Sequence, residues 1–224
     1  MKHMDYPDGS TKRKSYGKLK HSGLKDKYRT LRYKHFYCAL GIVLIIFLFL
    51  FIVNIYVLLS TPKQYMVTSD NYIDYQLKYE CSGYSAAYVL RSMGEKADGL
   101  SIYQNNPYKN NDGTVSPGNL VKFLEESGYK VKLCSGTVMQ IKYEVSKDIP
   151  VIAFVRTSPQ ESYYHYLPVV GYDTDNIYVA DSLKKYINAD EQYYNRVLSE
   201  TDFEEMLETG IFRKNTYIVL EQKH

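Results

Sequence analysis

Phe36 to Leu59 (FYCALGIVLIIFLFLFIVNIYVLL) runs for 24 positions without a charged side chain. In hydrocarbon every backbone polar group has to be satisfied within the segment, which makes such a run helical, and about 20 residues suffice to cross a ~30 Å core. The run therefore predicts a transmembrane helix over 36–59. A cleaved signal peptide has an apolar core of only ~7–15 residues followed by a small-residue site. Here the run is longer and no A-x-A pattern follows, so the anchor is expected to stay.

Charge is distributed unevenly about this span. Residues 1–35 carry eleven Lys or Arg against Asp5, Asp8 and Asp26 and show no sustained apolar face, which predicts a disordered basic tail. Only Lys63 follows shortly after the span, so the positive-inside rule puts the amino terminus in the cytoplasm and residues 60–224 outside the cell membrane. A basic segment at a membrane surface is expected to contact anionic lipid. Beyond position 35 lie 17 of the 28 basic and 22 of the 25 acidic residues, a net charge near −5 that excludes a nucleic-acid surface. The expected organisation is a tail at 1–35, a span at 36–59, a linker at 60–70 and one domain at 71–224.

Within that domain, QLKYECSGYSAAYVLRSMG at 76–94 puts Cys81 directly before a helical pattern. Ala86, Val89, Leu90 and Met93 recur at three- and four-residue steps, with Gly94 as a stop. Unpaired N–H groups and the dipole at a helix start stabilise negative charge, which favours the reactive thiolate of a cysteine placed there. The plainer reading of Cys81 is a small buried apolar residue. A second stretch bears on the choice. His165 opens an apolar run, an Asp- and Asn-rich turn follows at 173–176, and a second run ends at Asp181, the pattern of a β-hairpin. A nucleophilic Cys needs an imidazole within hydrogen-bond reach and a third group to orient that imidazole. Cys81, His165 and Asp181 supply the three in chain order.

These segments resemble the papain-fold cysteine peptidases of the bacteriocin-leader (double-glycine) type and their stand-alone relatives. CSGYSAAYVLR aligns without a gap to the family-like motif CGPASLAMVLR, with Ser85, Ala87, Val89, Leu90 and Arg91 on matching positions. HYLPVVGYD at 165–173 is similar to the histidine motif, and Val179 to Ser182 to the segment holding the third residue. The resemblance covers roughly residues 68–220. It implies an α+β papain-like fold, a Cys81–His165–Asp181 triad, and a role for Gln76 as the oxyanion-hole glutamine. Two features depart from the pattern. Ser82 replaces the usual glycine, and Gln76 lies five residues before Cys81 where six is commoner.

Other elements follow from local signals. Tyr72, Ile73 and Tyr75 suggest a first strand, and Asp98 to Thr114 reads as a polar loop bordering a groove. Ser116 and Pro117 cap a helix through Leu120, Val121, Phe123 and Leu124 to Gly128. Tyr129 to Leu133 alternates as a strand closed by Cys134. Val138 to Val145 is a short helix or connector, and Ile149 to Val155 is a buried strand beside His165. Thr201 and Glu204 form a capping-box pattern, and Thr216 to Leu220 closes the sheet. Two layers are expected. Cys134 reads as a core thiol, with a Cys81–Cys134 disulfide as its rival outside the cell. Cys38 is palmitoylated or, preferably, an ordinary lipid-facing or packed thiol. No paired Cys or His spacing appears, so neither metal nor cofactor is expected.

The implied activity is hydrolysis of peptide bonds in a peptide or protein substrate, cell-wall peptide among the candidates. No nucleotide-binding loop is present to couple the chain to transport. The rival reading, a papain-like module that binds a peptide or partner without turnover, is favoured by Ser82, because a glycine there would permit closer approach.

Overall fold

The computed structural model describes residues 18–210 and 215–221, so residues 1–17 of the basic tail lie outside the described residues. A 43-residue helix, α1 (Lys18–Ser60), comes first. Its part Tyr33–Ser60, with mean hydropathy 3.2, is long and apolar enough to cross a membrane. Ile45 and Phe47 are about 70% exposed, as in a helix that is apolar all round. The tail was expected to be disordered, yet it is helical from Lys18. Once a helix is nucleated by the apolar run, each further Lys, Leu or Arg extends it at little cost.

Beyond α1, the described residues form a sheet with helices on both faces. Its strands are β1 (Tyr65–Met66), β2 (Lys130–Ser135), β3 (Val151–Arg156), β4 (Tyr164–Tyr172), β5 (Asn176–Val179), β6 (Arg196–Ser199) and β7 (Thr216–Glu221). They run antiparallel in the order β2-β7-β3-β4-β5-β6, and β1 pairs with the end of β4. The helices are α2 (Cys81–Ser92), α3 (Gly99–Asn105), α4 (Pro117–Glu126), α5 (Val138–Val145) and α6 (Glu200–Leu207). Leu90 of α2 and Leu124 of α4 share a core with Ile152, Phe154, Tyr166 and Ile218. On the other face Ile141 of α5 and Phe203 of α6 pack with Ala153, Val155, Leu167 and Val179. The architecture is α+β, as expected, but three layers rather than two. Coverage on both faces explains why β3 is apolar at successive positions, whereas a strand with one wet face alternates.

Helix α2 ends as anticipated, with Gly94 in the left-handed region at φ +84°, a conformation that glycine adopts without a Cβ penalty. Ser116 caps α4 by accepting from the Asn119 N–H, with Pro117 in the first turn. Several expectations need correction. Residues 71–76 form no strand, and the first strand is Tyr65–Met66 inside the supposed linker. The stretch 98–114 contains α3, capped by the Asp98 carboxylate on the Ser101 N–H. The cap of α6 is Ser199 rather than Thr201. Strand β7 lies between β2 and β3, inside the sheet, because strand order is a long-range property that local alternation does not carry.

Candidate active site

Cys81 is the first residue of α2, where the Gly83 and Tyr84 N–H groups already donate to the Glu80 carbonyl. It is half-buried. The helix is fixed by two anchors from the same motif. Ser85 donates its hydroxyl to the Tyr166 carbonyl at 2.8 Å, tying α2 to β4. Arg91, 9% exposed, binds the lead-in. Its guanidinium donates to Asn71 Oδ1, Asp74 Oδ2 and the carbonyls of Tyr72 and Ala97 at 2.9–3.1 Å. It also lies 4.0 Å from the Tyr72 ring centre.

His165 is the second residue of β4, opposite Val155 of β3. Asp181 follows the end of β5, so the hairpin brings the two together, with His165 Nε2 2.8 Å from Asp181 Oδ1. Both are buried. Burial by itself would push the imidazole toward neutrality. The Asp181 carboxylate, with added hydrogen bonding and charge from Cys81, outweighs it and raises the His165 pKa to about 9. Burial likewise opposes ionisation of Asp181, but His165, the Leu183 N–H and Arg196 overcome it and hold the carboxyl below its ordinary value. The site thus favours an imidazolium facing the Asp181 carboxylate, in a cleft that Cys81 also lines.

Gln76 joins the same constellation. Its N–H donates to the Ser182 carbonyl (3.1 Å) and its Oε1 accepts from Ser182 Oγ (2.6 Å), while Nε2 donates to the Lys78 carbonyl at 2.7 Å. An amide NH2 carries two donors, and one of them is given to Lys78. Gln76, Cys81 and His165 line one cleft of about 610 Å³. Its walls include Asn110, Asp112 and Thr114 from the loop expected to border a groove, Tyr163 from the turn before β4 and Tyr164, the first residue of β4. Ser82 is 1% exposed and is not among the lining residues, so its side chain takes no room from a ligand. The feature that favoured a binding module therefore loses its force.

Cys81 and Cys134 are both free thiols. Cys81 packs against the core on the α2 face of the sheet and Cys134 against the core on the α5 face. A disulfide needs Cα atoms within about 7 Å on facing vectors, and the sheet lies between. Cys134 is half-buried at the rim of its core, and burial pushes its thiol pKa up.

Two residues that the sequence reading passed over complete the surroundings of Asp181. Arg196 Nη1 donates to Asp181 Oδ2 at 2.9 Å. Asn195 exchanges two hydrogen bonds with the Asp181 main chain, at 2.7 and 2.8 Å. Asn195 ends the polar stretch that follows Asp181, and Arg196 is the first residue of β6.

The fold matches solved structures over most of their length. A C39-like peptidase from Bacillus anthracis shares 15% identity, with a TM-score of 0.54 over 70% of this chain and 98% of its own. The peptidase domain of Streptococcus ComA, a bifunctional ABC transporter of a quorum-sensing pathway, shares 13%, with a TM-score of 0.53 over 69% and 99%. Xylellain, a cysteine protease from Xylella fastidiosa, shares 11%, with a TM-score of 0.55 over 75% and 89%. No protein of curated function matches in sequence. The sequence of residues 64–209 matches the Peptidase C39 like family, and with a cysteine-first helix laid against a histidine-bearing antiparallel sheet the chain belongs to that family.

Proposed function

We propose that this protein is a membrane-anchored cysteine peptidase that hydrolyses peptide bonds through Cys81, His165 and Asp181. The observation that carries the reading is the His165–Asp181 pair at 2.8 Å, with Cys81 and His165 lining the same cleft. The Cys81 thiolate attacks the scissile carbonyl carbon. His165 as imidazolium gives its proton to the leaving amine nitrogen, the C–N bond breaks, and a thioester remains. His165 then takes a proton from water as the water oxygen attacks the thioester, and the thiolate leaves. Asp181 stays ionised throughout and orients the ring. The Cys81 backbone N–H and the second Gln76 amide hydrogen serve as oxyanion donors.

The span Tyr33–Ser60 anchors the enzyme in the cell membrane as a single pass. Basic residues before the span and their scarcity after it put the tail in the cytoplasm, against anionic lipid, and the peptidase domain outside. Peptides or proteins of the cell surface, cell-wall peptide included, are the substrates within reach. The test is hydrolysis of a peptide library by membranes holding the full chain or its Cys81→Ala variant, paired with protease accessibility in intact cells. Cleavage that survives Cys81→Ala would sink the triad. A carboxyl-terminal domain protected from external protease would reverse the orientation.

A further inference from the structure

Arg196 carries a full charge at 4% exposure. A guanidinium is costly to bury unless both its charge and its donors are met, and here both are met by the surroundings of one carboxylate. Nη1 donates to Asp181 Oδ2 at 2.9 Å, Nη2 to the Thr157 carbonyl at 3.0 Å, and the group lies 4.7 Å from the Tyr186 ring centre. Asp181, itself 0% exposed, therefore has both oxygens committed. Oδ1 accepts from His165 and from the Leu183 N–H at 2.8 Å, and Oδ2 accepts from Arg196. A carboxylate held on one oxygen turns freely about its Cβ–Cγ bond. Held on both, with its main chain paired to Asn195, it has one orientation.

A buried ion pair adds little net stability compared with an apolar pair of the same volume, so the arrangement is better explained by what it orients. Resting on the hydrolytic reading above, we propose that Arg196 is a positioning residue: it keeps Asp181 ionised and aimed, so that His165 is held where it can exchange a proton with Cys81. The charged groups about this cluster are few. His165 on β4 and Arg196 on β6 face Asp181. Glu161, from the β3–β4 turn, accepts from Thr157 Oγ1 and Lys185 Nζ at 2.8–2.9 Å and from the Tyr186 hydroxyl. Hydrogen bonds from Lys185, Tyr186 and Thr157 bring the Glu161 pKa down to about 2, and the Glu161 partner raises that of Lys185. Glu161 and Lys185 thus keep their charges from pH 4 to pH 9. Within that window neither of them changes the charge set around Asp181.

The test is the alkylation of Cys81 by iodoacetamide between pH 4 and pH 9. It uses the full chain in detergent, read peptide by peptide by mass spectrometry so that Cys38 and Cys134 are resolved from Cys81. Wild type is compared with His165→Ala, Arg196→Met and Arg196→Lys. With the Arg196 charge gone, Asp181 protonates at higher pH and the imidazolium loses its partner earlier. Alkylation of Arg196→Met at pH 5 should be about tenfold slower than wild type, one pKa unit in rate, with little change at pH 9. Lysine restores the charge but not the fork that spans Asp181 and Thr157, so Arg196→Lys should lie between. A merely structural role lowers the melting temperature and leaves the profile in place. An Arg196→Met curve that superimposes on wild type, while His165→Ala still changes it, overturns the proposal and leaves the hydrolytic reading standing. Should Arg196→Met not fold, Arg196→Lys decides in the same way. A wild-type curve indifferent to His165→Ala overturns the hydrolytic reading and this proposal with it.

Discussion

Ser85, one helical turn beyond Cys81, donates its hydroxyl to the carbonyl of Tyr166, the residue next to His165, at 2.8 Å. The helix that begins at Cys81 and the strand that carries His165 are thus pinned together one residue from His165. Ser85→Ala should cost about 1 kcal/mol of stability. It should also slow His165-dependent alkylation of Cys81 several-fold, because a shift of the order of 1 Å in such a pair is costly. Chemical denaturation and iodoacetamide kinetics on the full chain check the two effects. Loss of stability with unchanged alkylation would mean that the bond braces the fold without setting the thiol–imidazole distance.

The His165–Asp181 pair makes stability depend on pH in a definite direction. The His165 pKa is raised from 6.5 to about 9 in the folded chain, so its contribution is complete below about pH 6.5 and is lost as pH rises through about 9. Asp181 is lowered from 3.8. Its contribution is complete above about pH 3.8 and is lost as pH falls through its folded value. The melting temperature of the wild-type chain should therefore fall between pH 6.5 and pH 9.5 more steeply than that of His165→Ala. Parallel curves for the two proteins would show that His165 is not held as imidazolium.

What could be read from the sequence was what neighbouring residues determine. Cys81 at a helix start, the α4 cap at Ser116 and the hairpin bringing His165 toward Asp181 all rest on spacings of a few residues, and each expectation met its counterpart in the fold. Arg196 and Asn195 were invisible for a physical reason. An arginine reads as surface until its buried acceptor is known, and that acceptor lies 15 positions away in sequence. Helix α3 is only seven residues long and begins with Gly99, so propensity gave it little support. Strand β1 has two residues, too few to alternate. Such a strand exists because the edge of β4 is there to pair with it.

Gly83 of α2 lies directly against Gly99 and Tyr103 of α3. A Cβ there would fall 2.3 Å from the Gly99 carbonyl oxygen and 2.7 Å from Tyr103 Cβ. The nearest of these is backbone and cannot swing aside. Gly83→Ala must therefore push α3 away from the start of α2, at a cost of about 1–3 kcal/mol or more. The start of α2 also carries Cys81, so the alkylation rate should fall along with the melting temperature. A wild-type melting temperature for Gly83→Ala would show that α3 yields without cost.

Asp181 and Arg196, a buried ion pair at 2.9 Å, should be energetically coupled. Asp181→Asn keeps the shape but leaves the Arg196 guanidinium, 4% exposed, facing a neutral amide. Breaking a buried pair from one side costs about 3–5 kcal/mol. Arg196→Met removes the other charge, and Asp181 keeps His165 as a partner, so its cost should be smaller. In the double variant Asp181→Asn with Arg196→Met neither charge is stranded, and methionine fills much of the volume of the arginine stem. Urea denaturation of all four chains should then show the double variant to be more stable than Asp181→Asn alone, with a coupling of at least about 1 kcal/mol. Strict additivity of the two losses would mean that the 2.9 Å contact is not what satisfies the buried arginine. The proposed hydrolytic site should stay silent in the double variant even where stability recovers, since no carboxylate is left to orient His165.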